Sequence, residues 1–188
     1  MNAGSKLQTL DGKVALDAFL SEQVTPFVRE HGFRRSGQRY RAARGQNVIF
    51  VRFQRRLTTF TADLGVVSAT LLEEFGSTPP EHWTIRLGPP ILGYDKWWDL
   101  EDGAAAVSRD FLPTLGRGLD FIEPLASDEG LRDTLLRLAI EDQRGLPPIM
   151  ERWCVALIRK VGPGDWANAK AEMEAIEHRP GSSTGIQE

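Results

Sequence analysis

The hydrophobic period of the chain changes twice, and this feature constrains the fold more than any other. Up to Gly32 the apolar residues recur every three or four positions, from residue 38 to residue 65 they alternate, and after Glu101 the helical period returns. Spacings of three and four predict helices with one buried face, whereas alternation predicts strands. This order predicts an α+β fold: an N-terminal helix packed on an antiparallel sheet of about four or five strands, followed by a helical C-terminal half.

The strand pattern is clearest over residues 48–55, where Ile49, Val51 and Phe53 share one face. Val48, Phe50, Arg52 and Gln54 make up the other face. Residues 58–65 follow after a short connection and alternate in the same way, which predicts an antiparallel hairpin. Three shorter strands are predicted over residues 38–42, 82–87 and 97–100.

The helical segments divide the chain into three predicted parts. Asp11 can cap the first helix, Pro26 predicts a kink in it, and Gly32 ends it. Pro113, Gly116 and Gly118 predict that residues 104–125 form two helical pieces. Further helices are predicted after Ser127, Pro147 and Asp165. The predicted parts are an α+β domain over residues 11–125, a helical extension packed on it over residues 126–177, and a flexible tail over residues 178–188.

The charge of the chain is unevenly distributed. The net charge is −3, from 23 Lys and Arg against 26 Asp and Glu, which argues against a general polyanion binder. Residues 31–62, however, contain eight arginines and no acidic residue. These arginines are Arg34, Arg35, Arg39, Arg41, Arg44, Arg52, Arg55 and Arg56. A basic face of this kind predicts an anionic partner.

Cysteine usage and hydropathy indicate the compartment. Cys154 is the single cysteine, so an internal disulfide cannot form, and its apolar helical stripe favours a buried structural thiol. The first eleven residues lack the pattern of a signal peptide, and no window has the length of apolar sequence that a membrane span needs. The sequence therefore predicts a cytosolic protein with no membrane partner.

Motifs for catalysis are weak. Phosphate-binding glycine loops and nucleophile elbows do not occur in the sequence. Among the three histidines, only His82 qualifies as a possible general base, because it begins a strand after a flexible loop. Four carboxylates could hold Mg²⁺ or Ca²⁺ if the backbone brought them together, but acids solvated at a loop and a helix start are the favoured interpretation. They are Asp95, Asp99, Glu101 and Asp102. The sequence predicts no catalytic residue, metal or cofactor.

Binding residues are predicted more readily, because arginine offers a planar fork for carboxylate or phosphate. The predicted residues for an anionic partner are Arg39, Arg41, Arg52, Gln54, Arg55 and Arg86. A possible cleft is predicted at His82, Tyr94, Asp95, Trp97 and Trp98. Adjacent strand residues face opposite ways, so one of Trp97 and Trp98 is expected in the core. The alternative is that acids of the C-terminal helices neutralise the arginines internally; these acids are Glu141, Asp142, Glu151, Glu172 and Glu174.

Several short motifs together resemble a known family. They are Gly32-Phe33, Tyr40, Phe53-Gln54, Phe60-Thr61, Leu64-Gly65, Arg86-Leu87 and Asp95-Lys96-Trp97-Trp98. The chain resembles, over about residues 14 to 125, the bacterial family catalogued as domain of unknown function 4304. The resemblance implies an α+β fold, and it implies no activity, substrate, cofactor or catalytic residue.

Three functions remain open from the sequence. The leading hypothesis is a non-catalytic cytosolic binding protein, of the adaptor or immunity type, whose basic sheet face binds an acidic protein partner. The second hypothesis is a single-stranded nucleic-acid binder that uses arginine and aromatic side chains of the same face. The third and least favoured is an enzyme with a site near His82, Arg86, Asp95 and Asp99.

Overall fold

The structure is a computed structural model that describes residues 12–75, 83–141, 148–162 and 164. The chain forms two compact units that divide between Ser127 and Asp128. Some sequence predictions lie outside the described residues: the Asp11 cap, the role of His82, the helix after Asp165 and the tail over residues 178–188.

The described part of the first unit begins with a helix of mixed geometry. Residues 12–19 are α-helical (α1), Leu20–Val24 form a π-helical segment, and Thr25–Glu30 form α2. Pro26 has no backbone N–H, and the wide turn just before it lets the Thr25 N–H donate to the Leu20 carbonyl five residues back. The Thr25 hydroxyl also donates to Leu20 at 2.7 Å and meets the Tyr40 hydroxyl at 2.9 Å. The disturbance predicted at Pro26 therefore takes the form of a π-helical segment tied to the sheet through Tyr40.

In the described part of the chain the sheet has six antiparallel strands. They are β1 (Arg34–Ser36), β2 (Arg39–Arg44), β3 (Asn47–Arg56), β4 (Thr59–Val67), β5 (Trp83–Arg86) and β6 (Trp98–Asp99). The order is β1-β2-β3-β4-β5, and β6 pairs with β4 beyond the end of β5. The predicted α+β class and the predicted β3–β4 hairpin are confirmed, and the short edge strand β1 was not predicted.

One face of the sheet packs against the helices through a group of aromatic rings. Phe60 of β4 lies 5.2 Å from Phe19 and 5.1 Å from Phe111, measured between ring centroids. Phe53 and Trp98 complete the group at 6.0 Å from Phe60. All five residues are at most 4 % exposed, so this group is the centre of the hydrophobic core of the first unit.

The helices after β4 are α3 (Ala69–Phe75), α4 (Gly88–Leu92) and α5 (Ala104–Ile122), and a 3₁₀ turn follows α5 over Glu123–Ala126. The prediction of two helical pieces over residues 104–125 is wrong, because α5 runs without interruption through Pro113. Gly118 permits close packing rather than breaking the helix, since a side chain there would collide with Leu64 and Leu87. The short helix α4 was not predicted.

The second unit contains α6 (Asp128–Glu141) and α7 (Pro148–Val161). Arg132 of α6 is 5 % exposed, and its Nη1 donates to the carbonyls of Val161 and Gly162. These hydrogen bonds cap the C-terminus of α7. Cys154 is buried on α7, and burial raises the pKa of its thiol, in keeping with the predicted structural thiol. Within the described ranges, every helix is too short or too polar to cross a membrane.

Candidate functional site

The face of the sheet opposite the aromatic core is rich in arginine. Strand register aligns one residue from each of five strands in a row: Ser36, Arg39, Arg52, Asp63 and Arg86. In the neighbouring row, Arg34 of β1 lies directly opposite Arg41 of β2. We call this surface the arginine face and define it by Arg34, Arg39, Arg41, Arg52 and Arg86.

The structure brings together most of the residues predicted to bind an anion. Arg39, Arg41, Arg52, Gln54 and Arg86 all belong to this side of the sheet by register. Arg55 does not, because it lies one residue out of phase, opposite Phe60, and its Nη1 donates to the Leu57 carbonyl at 2.8 Å. Sequence reasoning missed Arg34 as a binding residue, because the short strand that aligns it with Arg41 was not predicted.

A buried carboxylate lies at the centre of the arginine face. Asp63 is 3 % exposed, and its Oδ2 accepts from Nη2 of Arg52 at 2.8 Å and from Nε of Arg52 at 3.2 Å. The side-chain amide of Gln54 donates to the same oxygen. The Nε of Arg86 lies 4.0 Å from Oδ1 on the other side. A buried charge of this kind is tolerated only when such partners compensate it, so Asp63 organises the middle of the face.

Trp97 lies beside Asp63 and the side chains around it, which we call the Asp63 cluster: Asp63, Arg52, Gln54 and Arg86. The guanidinium carbons of Arg56 and Arg86 lie 4.3 Å and 5.5 Å from the centroid of its indole ring. These arginines belong to β3 and β5, the strands on either side of β4, so the indole spans β4. On β4 the Thr61 side chain is fully buried, and its hydroxyl has no hydrogen-bond partner in the described part of the chain. Trp97 therefore covers the polar side of the central strand.

Trp98 lies on the opposite side of the sheet, as predicted for one member of this pair. It is 3 % exposed and stacks on Phe60 in the core. Its Nε1 donates to the Asp110 carboxylate of α5 at 2.6 Å. Of the predicted cleft residues, Trp98 therefore belongs to the hydrophobic core, while His82 lies outside the described residues.

Two ion pairs hold the loop over residues 93–96, which precedes the two tryptophans. Asp95 Oδ2 accepts from Arg86 Nη1 at 2.7 Å, and Lys96 Nζ donates to Asp110. Tyr94, at the same loop, is 57 % exposed. The Asp95-Lys96-Trp97-Trp98 motif thus joins the loop to both sides of the sheet, and its members on the arginine side are Asp95 and Trp97.

The contacts of Asp110 predict a pH dependence of stability. Its hydrogen bond with Lys96, and secondarily that with Trp98, lowers the pKa of Asp110 below the ordinary value of 3.8. A carboxyl group whose pKa is lower in the folded state stabilises the protein at pH values above its unfolded-state pKa. This stabilisation is lost as the pH falls through the folded-state pKa. We expect the wild type to have a higher free energy of unfolding than Asp110→Asn at neutral pH, and we expect this difference to shrink below about pH 4. Urea denaturation at several pH values measures it, and a constant difference would contradict the assignment.

Several arginines of the basic stretch are paired within the first unit. Arg35 lies 3.6 Å from Asp17, and Arg44 Nε donates to Glu123 at 2.8 Å. Arg34 and Arg41 differ from these, because both are exposed and neither has an ion-pair partner among the described residues. The positive charge of the face is therefore least compensated at the β1–β2 edge.

The arrangement offers little for catalysis. Asp99 uses its carboxylate to accept from the Glu101 backbone N–H at 3.1 Å, which caps the 3₁₀ turn Leu100–Asp102. In the parts of the chain that the structure describes, no three His, Cys, Asp or Glu side chains converge as a metal site. A pocket at the hairpin end of the sheet has one charged lining residue, Glu101, and no basic one. Anion binding by arginine is the chemistry that this geometry supports best.

Comparison with known proteins agrees with the resemblance seen in the sequence. Residues 24–109 match the family described as domain of unknown function 4304. The match contains all six strands and therefore the whole arginine face. No curated protein and no solved structure matches the chain.

Proposed function

We propose that the chain is a non-catalytic cytosolic binding protein, of the adaptor or immunity type, whose arginine face binds the carboxylates of an acidic protein partner. The observation that carries the proposal is the exposed Arg34–Arg41 pair at the edge of this face. Like charges directly opposite one another on adjacent strands are destabilising, and a carboxylate placed between them relieves the repulsion. Two guanidinium forks side by side fit such a carboxylate with two-pronged hydrogen bonds.

The surrounding residues extend this pair into a surface. Arg39 lies two positions from Arg41 on the same strand and directly opposite Arg52 on the next strand. Four arginines therefore occupy neighbouring positions on three adjacent strands. A basic patch of this kind attracts an acidic partner and accelerates its association, and the effect weakens as salt is added.

An acidic protein fits this surface better than single-stranded nucleic acid does. Proteins that bind single-stranded nucleic acid need accessible aromatic rings on which bases stack. The aromatic side chain next to Arg41 is Phe50, which is 3 % exposed, and the Trp97 ring is already contacted by two guanidinium groups. The buried Asp63 also reduces the positive charge available to a continuous phosphate backbone.

Charge reversal at the exposed pair tests the proposal. The double variant Arg34→Glu/Arg41→Glu leaves the Asp63 cluster intact. We expect its affinity for a fluorescein-labelled poly-glutamate peptide, measured by anisotropy at low salt, to fall at least about tenfold below that of the wild type. A labelled single-stranded oligonucleotide of equal charge is the second probe, and we expect it to bind more weakly to the wild type than the peptide does.

The matched control is Arg29→Glu/Arg109→Glu, which makes the same charge change at two exposed helical residues. We expect this control to change peptide affinity less than about threefold, because it alters only the long-range field. Equal losses in both double variants, or no binding of the peptide by the wild type at low salt, would refute the proposal. Tighter binding of the oligonucleotide than of the peptide would favour the nucleic-acid alternative instead.

A further inference from the structure

We infer that Arg86 is a preformed carboxylate-binding position on the arginine face, and that Asp95 occupies this position in the free protein until a partner's carboxylate replaces it. The inference rests on the proposed function and adds to it a specific anchor and a competing group within the same chain. Its basis is the environment of Arg86, which combines a guanidinium held from the buried side by Asp63 and Trp97, a partly exposed outer edge and an exposed ion pair with Asp95.

The guanidinium of Arg86 is held in place from several sides. Its strand position lies opposite Asp63, and its Nε is 4.0 Å from the buried carboxylate. The indole of Trp97 lies against it, with 5.5 Å between the guanidinium carbon and the ring centroid. A side chain ordered in this way loses little conformational freedom when it binds an anion, which favours binding.

The same guanidinium is incompletely satisfied. Nη1 donates to Asp95, whereas Nε is buried and has no hydrogen-bond partner in the described ranges. The side chain as a whole remains 32 % exposed, so part of the guanidinium faces solvent. Asp95 contacts this guanidinium through one oxygen, at Nη1, so the exposed part of the group can bind both oxygens of a better-placed carboxylate.

Asp95 is a replaceable occupant of this position. Its side chain is 44 % exposed, and it belongs to the irregular loop that follows Gly93, a residue in the left-handed conformation with φ 78°. Exposed ion pairs of this kind contribute little to stability, so breaking the Asp95–Arg86 contact opposes partner binding only modestly. The loop stays fastened through Lys96 and Trp98 when Asp95 leaves.

The charge of the surroundings indicates a carboxylate rather than a phosphate. Asp63 already places one negative charge behind Arg86, and Asp95 adds a second. Replacing Asp95 with one carboxylate keeps this balance, whereas a doubly charged phosphate group would add repulsion from Asp63. An aspartate or glutamate side chain of an acidic partner is the ligand that fits.

Removing the competing carboxylate tests the inference. We expect Asp95→Asn to bind the labelled poly-glutamate peptide about three- to tenfold more tightly than the wild type, because the position is then vacant in every molecule. Asp102→Asn is the matched control: it removes the same charge from an exposed residue a few positions further on. We expect less than about a twofold change for this control, and equal gains in both variants would refute the inference.

Arg86 variants show whether the gain passes through this guanidinium. In the Asp95→Asn background, Arg86→Gln should abolish the gain, and Arg86→Lys should retain only part of it, because lysine lacks the planar fork. Circular dichroism and urea denaturation confirm that each variant is folded. A gain that survives Arg86→Gln overturns the inference. If the wild type binds the peptide through Arg34 and Arg41 but Asp95→Asn has no effect, this inference fails while the proposed function stands.

Discussion

Phe60→Ala should lower the free energy of unfolding by about 4 kcal/mol, because it removes the ring at the centre of the aromatic core. Phe60 is fully buried and contacts rings from four other parts of the first unit: Phe19, Phe53, Trp98 and Phe111. The substitution loses the transfer free energy of the ring and leaves a cavity whose walls belong to two strands and two helices. Urea denaturation, with the transition followed by circular dichroism, measures the loss.

Phe60→Leu is the matched control for this prediction. Leucine fills most of the volume and keeps the site apolar, so we expect a loss of about 1–2 kcal/mol. A loss below about 1 kcal/mol for Phe60→Ala would mean that the core collapses around the gap, and the aromatic group would then not be the centre of the fold.

The alternating pattern predicted the faces of the central strands correctly because burial on one side of a sheet has a period of two. Ile49, Val51 and Phe53 lie on the core face, and Arg52 and Gln54 lie on the other. The same rule separated Trp97 from Trp98. It also places Arg55 away from the arginine face, and Arg55 was included among the predicted binding residues on composition alone, against its own periodicity.

Glycine and proline were less informative about where helices break, because their effect depends on contacts with residues that are distant in the sequence. Gly118 was interpreted as a break in a helix, whereas it permits α5 to approach Leu64 and Leu87 closely. Pro113 is accommodated inside the same helix. At Pro26 the sequence predicted a kink, and the π-helical geometry before it is stabilised by the Tyr40 hydroxyl, which belongs to a distant strand.

The candidate site was predicted in composition but not in arrangement. The sequence identified the arginines, but Asp63 was not among the predicted site residues. Strand order and register determine the rest, since Asp63 meets Arg52 only because β3 pairs with β4, and meets Arg86 only because β5 pairs on the other side. The β3–β4 hairpin was predicted from the sequence, but its register and the pairing of β5 with β4 were not.

Asp63→Ala should lower the free energy of unfolding by about 3 kcal/mol, which is the second large effect that we expect. The carboxylate is the acceptor for Arg52 and Gln54, and it is the nearest anion to the buried Nε of Arg86. Its loss leaves positive charge and polar N–H groups without compensation beneath Trp97. The free-energy cost of leaving such groups desolvated and unpaired exceeds the hydrophobic free energy gained by burying an alanine side chain. The measurement is again urea denaturation at neutral pH.

Asp95→Ala provides the matched control, because it removes a carboxylate that binds the same arginine from the exposed side. We expect it to change the free energy of unfolding by less than about 1 kcal/mol, as exposed ion pairs usually do. Asp63→Asn should fall between the two, since an amide oxygen still accepts hydrogen bonds but carries no charge. If Asp63→Ala and Asp95→Ala have equal effects, burial of Asp63 does not strengthen its contacts. The arginine face would then be held by the strands alone, and its guanidinium groups would not depend on an internal carboxylate for their positions.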